Sequence, residues 1–288
     1  MAALASLREI RRFVTLPVMT NHLPGTLFLR NLVRQRSLIF QLVRRDFEQR
    51  FVGSAVGWIW GLIHPLVLLA AYTFIFTYCL RMRLEPGQLT DNYPIFLFAG
   101  MLPWLLFQET VQRSASALVD YSNLIKKSVF PAEIVPVCIF LSNVLSHLLA
   151  MALLVAAVAV WLNRFSAMVV VLPVYLALTG MFAVGLAWIV SSLHVFLRDT
   201  AQVLTVLLTF WFWLTPVFIT ESQFPEGMRW LVTLNPLVYA VRGYRNSILS
   251  TRLPSLRDLA LLTAWAVAMF VAGGLFFRHT KKGFADVL

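Results

Sequence analysis

IVPVCIFLSNVLSHLLAMALLVAAVAVWLN, residues 134–163, is followed after the single Arg164 by FSAMVVVLPVYLALTGMFAVGLAWIVSSLHVFL, residues 165–197. These runs of 30 and 33 residues contain no Asp, Glu, Lys or Arg. Crossing about 30 Å of hydrocarbon at about 1.5 Å per residue takes about 20 helical residues, so each run exceeds one membrane crossing. Pro136 stands near the start of the first run and Pro173 divides the second. A proline inside an apolar run marks a kink or a boundary, because its ring removes a backbone donor and crowds the preceding turn. The same test finds residues 51–80, with Pro65 inside, and then 92–108, 200–220 and 259–277. The sequence therefore predicts an all-α integral membrane protein with six transmembrane helices, at about 54–80, 92–110, 134–162, 170–197, 200–220 and 258–277.

Composition agrees. Of 288 residues, 59% are apolar and 13% charged, against about 45–50% and about 25% in soluble globular proteins. The two cysteines, Cys79 and Cys138, lie in apolar runs, which argues against a disulfide framework or a Cys-rich metal site. A net charge of +11 would suggest nucleic acid on a soluble chain. On this one it points to an anionic membrane surface or an anionic substrate.

Lys and Arg near the span ends set the orientation. Nine arginines precede residue 51, which places the N-terminus in the cytoplasm, and six spans return the C-terminus there. Inner segments then hold 16 Lys and Arg and outer ones 8. Residues 1–50 form a cytoplasmic segment, 51–277 the membrane domain and 278–288 a cytoplasmic tail. Met1–Arg12 is followed by no adequate apolar run before Arg30, so no cleaved leader is expected. Trp230–Val241 is apolar but too short to span, and Asn235-Pro236 interrupts it. Residues 217–257 are read as a re-entrant hairpin in the outer leaflet, tolerable where protein or water satisfies its backbone. The alternative is an external loop with a surface-lying helix.

Two amphipathic segments flank the inner face. Ser37 can cap a helix carrying Leu38, Ile39, Leu42, Val43, Phe47 and Phe51 at helical spacing, with Arg44, Arg45, Glu48 and Gln49 opposite. It reads as an interfacial helix, either a lipid anchor or a docking element. Val111–Glu133 carries Leu118, Tyr121, Leu124 and Ile125, with Arg113, Asp120, Lys126 and Lys127 outward, until Phe130-Pro131 stops it. Gly53, Gly57 and Gly61 recur every four residues, a row that permits close helix approach.

Energy-converting chemistry is missing. There is no G-x-x-x-x-G-K-[ST] phosphate loop and no G-x-S-x-G, H-E-x-x-H or C-x-x-C. The 13 acids are scattered, apart from Asp46 and Glu48, read as a surface pair. A diphosphate-using membrane transferase needs clustered carboxylates for Mg²⁺, so an enzyme is disfavoured. His64, His147 and His194 sit in apolar runs without an acid, so proton coupling lacks its usual carboxylate. For His147 a hydrogen-bonded packing role is expected. Trp58, Trp60, Trp104, Trp161 and Trp230 lie near span ends and suit a lipid belt. Phe210-Trp211-Phe212-Trp213 lies deeper, and its rings either pack or face a pore where they can stack on sugar faces.

Arg45-Asp46-x-x-x-Arg50-Phe51-x-x-Ser54-x-Val56-Gly57-x-x-Trp60-x-x-x-x-Pro65 resembles the entry to the first span in permease subunits of polysaccharide-exporting ABC transporters, the exporters of O-antigen, capsule and teichoic acid. Phe98-Ala99-Gly100-Met101-Leu102-Pro103-Trp104 is similar to that family's second-span motif. Leu124-Ile125-Lys126-Lys127-x-x-Phe130-Pro131-x-Glu133-Ile134-x-Pro136 is similar to its cytoplasmic loop. Arg198-Asp199, Thr215-Pro216, Asn235-Pro236-Leu237 and Tyr244-Arg245 follow in the family's order. The similarity covers roughly residues 27–283, with Phe51, Val56 and His64 as departures.

The resemblance implies a homodimer of this subunit with two separately encoded cytoplasmic ATPase subunits. Such a complex extrudes a polysaccharide on a polyprenyl pyrophosphate lipid, most closely an O-antigen, through the bacterial inner membrane. No cofactor is expected on this chain, since ATP and Mg belong to the partner. The resemblance assigns the 28–50 helix and the coupling loop 111–133 to the ATPase, through Arg45, Asp46, Tyr121, Leu124, Lys126, Lys127 and Phe130. It makes Trp58, Tyr72, Phe76, Phe210, Trp211 and Trp213 channel candidates. Arg44, Arg45 and Arg50 become candidates for the pyrophosphate, or else anchors on anionic lipid. Asn235, Pro236, Tyr244 and Arg245 fall in the periplasmic gate of 217–257. The alternatives are an ABC exporter of a small lipid or drug, and a membrane enzyme acting on a glycolipid.

Overall fold

A computed structural model of the chain describes residues 35–50, 57–84, 87–127, 130–163, 165–251 and 253–284. The described residues contain no strand. The helices are α1 (Arg36–Gln49), α2 (Trp60–Thr73, continued by a π-helical turn over Phe74–Cys79), α3 (Tyr93–Asp120), α4 (Ser122–Lys127), α5 (Ile134–Trp161), α6 (Leu172–Phe196), α7 (Thr200–Leu214), α8 (Arg229–Leu234), α9 (Pro236–Leu249) and α10 (Leu256–Thr280). Five of them, α2, α3, α5, α6 and α10, with their adjoining short turns, are long and apolar enough to cross a membrane.

The fifth predicted span is shorter than its sequence suggested. The charge-free run 200–220 is helical only to Leu214, and 15 helical residues reach about 22 Å, less than the hydrocarbon thickness. Thr215 is extended as the residue before a proline prefers to be, and Pro216 follows it. Other prolines behave as boundaries: Pro94 and Pro236 occupy the first turns of α3 and α9, where no N–H is missed. Pro173 opens α6, whereas Pro65 and Pro103 lie inside their helices.

Side chains satisfy several helix starts. Asn92 Oδ1 accepts from Ile95 N at 3.2 Å and Asn235 Oδ1 from Leu237 N at 3.0 Å. Ser255 Oγ accepts from Asp258 N at 3.3 Å, and α10 closes on Arg278 and His279, charges suited to a helix C-terminus. Ser37 does not cap α1, because the helix begins one residue earlier, at Arg36.

The bundle is built around α3, buried almost continuously from Tyr93 to Leu118 and packed by α5, α6 and α9. Its core includes Trp104, Phe107, Tyr175, Phe182 and Tyr244. Helices α6 and α10 meet most closely at Gly185 and Gly273, where a Cβ on either would collide with the other helix's backbone. Gly57 has φ +61° and faces open space, so it starts the turn that leads into the first span, α2, in the left-handed region, and Gly53 lies outside the described residues.

One end of the bundle gathers α1, the last turns of α3 and the start of α5. Leu42 is buried against Ile134 and Cys138, and Lys281 Nζ meets Glu133 Oε2 at 2.7 Å. The opposite end holds the start of α3, the α5–α6 turn and the α9–α10 turn, where Ser166 Oγ donates to Ser250 O at 2.5 Å. Arg242 there binds both Glu221 and Asp258.

Candidate functional site

Helix α1 lays its apolar face on α5 through Leu38, Ile39, Leu42 and Val43, so that face packs within the chain. Asp46 comes one turn after Leu42 on the same face, and it is buried rather than part of a surface pair with Glu48. Its carboxylate accepts two bonds from Arg113 Nη2, at 2.7 and 2.9 Å. Arg113 was expected outward, but α3 continues unbroken to Asp120. Residues 111–120, expected in a loop, therefore extend that helix and turn Arg113 inward. Arg113 Nη1 donates to Asn143 Oδ1 on α5 at 2.8 Å. Arg50 Nη2 donates to the same oxygen and pairs with Glu109 at 2.8 Å. Asn143 Nδ2 completes the set with a bond to Thr110 Oγ1 at 3.0 Å.

Two guanidiniums and two carboxylates thus form a charge-balanced layer joining α1, α3 and α5. Burial pulls the Arg50 pKa down while Glu109 pulls it up. Sequence reasoning missed Glu109, Thr110, Arg113 and Asn143 as a unit. The available signal was an acid on the apolar stripe of an amphipathic helix, since isolated buried carboxylates require a partner.

A cavity of about 610 Å³ lies on the side of this layer that faces the end of the bundle, lined by Arg45, Asp46, Gln49, Arg50, Arg113, Asp120, Tyr121, Asn123 and Leu124. Four of the seven coupling candidates, Arg45, Asp46, Tyr121 and Leu124, therefore share one groove. Burial raises the Tyr121 pKa. Lys126 is exposed, and Phe130 packs beneath, between Leu42 and the start of α5. The side chain of Lys127 lies outside the described residues. Arg44 is exposed and paired with Glu48 at 2.7 Å.

On the opposite side of the layer, toward the middle of the bundle, a cleft of about 830 Å³ opens between α2, α3, α5 and α7. Its charged end holds Arg50, Glu109, Gln112 and Arg113, and the rings of Tyr72, Trp104, Phe212 and Trp213 cluster at its aromatic end. The two bordering helices are the least shielded: Val67, Phe74 and Tyr78 on α2, and Val206, Phe210 and Trp213 on α7, are all exposed. Of the channel candidates, Tyr72 and Trp213 line the cleft. Phe76 stacks on Phe218 and Phe210 faces outward. Trp211 turns away, with Nε1 donating to Asn235 Oδ1 at 3.0 Å and its ring against Phe107. The side chain of Trp58 lies outside the described residues.

The gate candidates are interior. Asn235 and Pro236 begin α9, and Asn235 Nδ2 donates to Thr215 Oγ1 at 3.0 Å. Tyr244 is 3.0 Å from His147 Nε2, giving His147 the hydrogen-bonded packing role expected of it. Arg245 is buried over the Phe96 ring and donates to the carbonyls of Phe96, Pro216 and Val217 at 3.3, 2.8 and 2.7 Å. It thereby satisfies the backbone where α7 breaks.

Residues 37–249 match the ABC-2 type transporter family. The O-antigen export system permease protein RfbA of Myxococcus xanthus is 29% identical over 260 residues, spanning 90% of this chain and 98% of that protein. RfbA of Klebsiella pneumoniae is 26% identical over 256 residues, with 87% and 95% covered. The polysialic acid transport protein KpsM of Escherichia coli is 23% identical over 264 residues, with 86% and 95% covered.

Proposed function

The chain belongs to the ABC-2 type transporter family, and from that premise we propose that it is the membrane permease subunit of an ABC exporter of polysaccharide. The carrying observation is the cleft, which runs from a charged end to an aromatic end along two helices left unshielded. A passage open along its side needs a second wall, and a second copy related by two-fold symmetry supplies one. The cargo is an O-antigen on a polyprenyl pyrophosphate lipid, with Tyr72 and Trp213 offering ring faces to sugars. Arg45 remains for the pyrophosphate, with Arg44 if it exchanges its exposed pair with Glu48, while Arg50 is engaged by Glu109 and Asp46.

Power comes from two cytoplasmic ATPase subunits, which bring ATP and Mg. They grip the groove of Arg45, Tyr121 and Leu124 together with exposed Lys126, with both termini of this chain on the cytoplasmic side of the bacterial inner membrane. Helix α7 completes a sixth crossing with the turn that follows it. Residues 217–257 form a re-entrant outer gate, a reading supported by Asn235 meeting Trp211 while Ser250, at the other end of α9, meets Ser166. The experiment is disruption and restoration of the gene in its own cell, with surface polysaccharide measured on whole cells. Loss and recovery of the surface polymer is expected. An unchanged surface with loss of a small exported lipid would replace the cargo.

A further inference from the structure

Arg50 and Arg113 line both cavities, and among the described residues no other side chain does. They stand as a wall between the groove at the end of the bundle and the cleft. Their present partners cross between helices: Arg113 of α3 holds Asp46 of α1, and Glu109 of α3 holds Arg50 just beyond α1. A second pairing is already in register. Asp46 and Arg50 are four residues apart, at 3.8 Å, and Glu109 and Arg113 are four residues apart on α3, acid before base, the favourable order on a helix.

We propose that these four charges form a pair-exchange latch that closes the inner end of the passage. Cross-helix pairs hold α1 against α3 and shut the wall. When α1 is drawn away, Asp46 takes Arg50 and Glu109 takes Arg113, and the wall parts with every charge still paired. Both states keep the buried charges compensated, as a two-state element needs if it is to switch without stranding an ion. Asn143, whose one amide oxygen serves both guanidiniums, fixes them on α5 as a positioning residue.

This rests on the export reading for the source of the pull, but its test does not need the cargo. Thr209 lines the cleft. Thr209→Cys, in a chain whose native cysteines are replaced, is labelled in oriented vesicles with a membrane-impermeant maleimide applied from the α1 side, with the ATPase partner and with or without ATP. Labelling that rises several-fold with ATP is expected. Adding Asp46→Arg with Arg113→Asp preserves the cross-helix pair but makes both within-helix pairs repulsive, so the rise should vanish while the partner still co-purifies. Reversing all four charges restores both pairings and should return it. Arg113→Lys, a mild change that loses the fork bridging Asp46 and Asn143, should label without ATP. A double swap that responds to ATP like the parent overturns the latch, as does an Arg113→Lys chain that stays closed. Absence of glycan export in cells, with the labelling pattern intact, overturns the cargo and leaves the latch standing.

Discussion

Arg113 on α3 places Nη2 2.7 and 2.9 Å from the two carboxylate oxygens of Asp46 on α1, across 67 residues of sequence. The pair fastens a short amphipathic helix to the most buried helix of the bundle, so displacement of one is felt by the other.

Breaking that pair from one side leaves a partly buried charge. Asp46→Asn or Arg113→Ala should each cost about 1–3 kcal/mol, less than a fully buried pair because the Arg113 side chain is 28% exposed. Thermal unfolding in detergent measures each, and the Asp46→Ala/Arg113→Ala cycle should show coupling of about 1 kcal/mol or more. Additive losses would mean that the contact carries no energy.

Arg245 supplies donors to three carbonyls at once. Arg245→Met should strand them and cost about 2 kcal/mol or more. Gly100→Ala should reproduce part of this, because a Cβ there lies 2.5 Å from Arg245 Nη2. Both variants are expected to open the 215–218 turn to proteolysis, and resistance equal to the parent's would sink the role.

Helices α6 and α10 touch through Gly185 and Gly273. Gly273→Ala inserts a methyl against Gly185 O and should destabilise by about 1–3 kcal/mol, the usual cost of overpacking. Gly274→Ala, whose Cβ would meet Trp188 only at 3.7 Å, should be near neutral. Equal behaviour of the two in melting temperature would contradict this contact.

The neighbouring tryptophans separate cargo contact from scaffolding. Trp213→Ala removes a ring from the cleft together with its stacking on Phe218, and should slow export more than it lowers the melting temperature. Trp211→Ala removes the bond to Asn235 and the packing on Phe107, and should lower the melting temperature first. The reverse order would show the cleft assignment to be wrong.

Charge-free length made α2, α3, α5, α6 and α10 legible, because crossing hydrocarbon demands apolar residues in number. The same signal misjudged α7, since an apolar run does not distinguish helix from turn until Thr215-Pro216 is given its conformational weight. Tyr244 and Arg245 stood out only by resemblance. Their burial beside His147 and the 215–218 turn depends on how α9 folds back against α3, which no local pattern encodes. The latch was hidden for a related reason. Charged residues near a membrane end read as solvated, and Asp46 with Arg113 becomes a pair only when α3 extends past residue 110 as one helix.

A passage driven by another protein gripping α1 and the α3–α4 turn should move no polymer by itself. The direct measurement is reconstitution in vesicles loaded with lipid-linked polysaccharide, with the chain alone or with its ATPase, and polymer crossing followed over time. Crossing that requires the ATPase and ATP, and is lost with Lys126→Glu and Leu124→Asp together, is expected. Crossing by the chain alone would contradict the account.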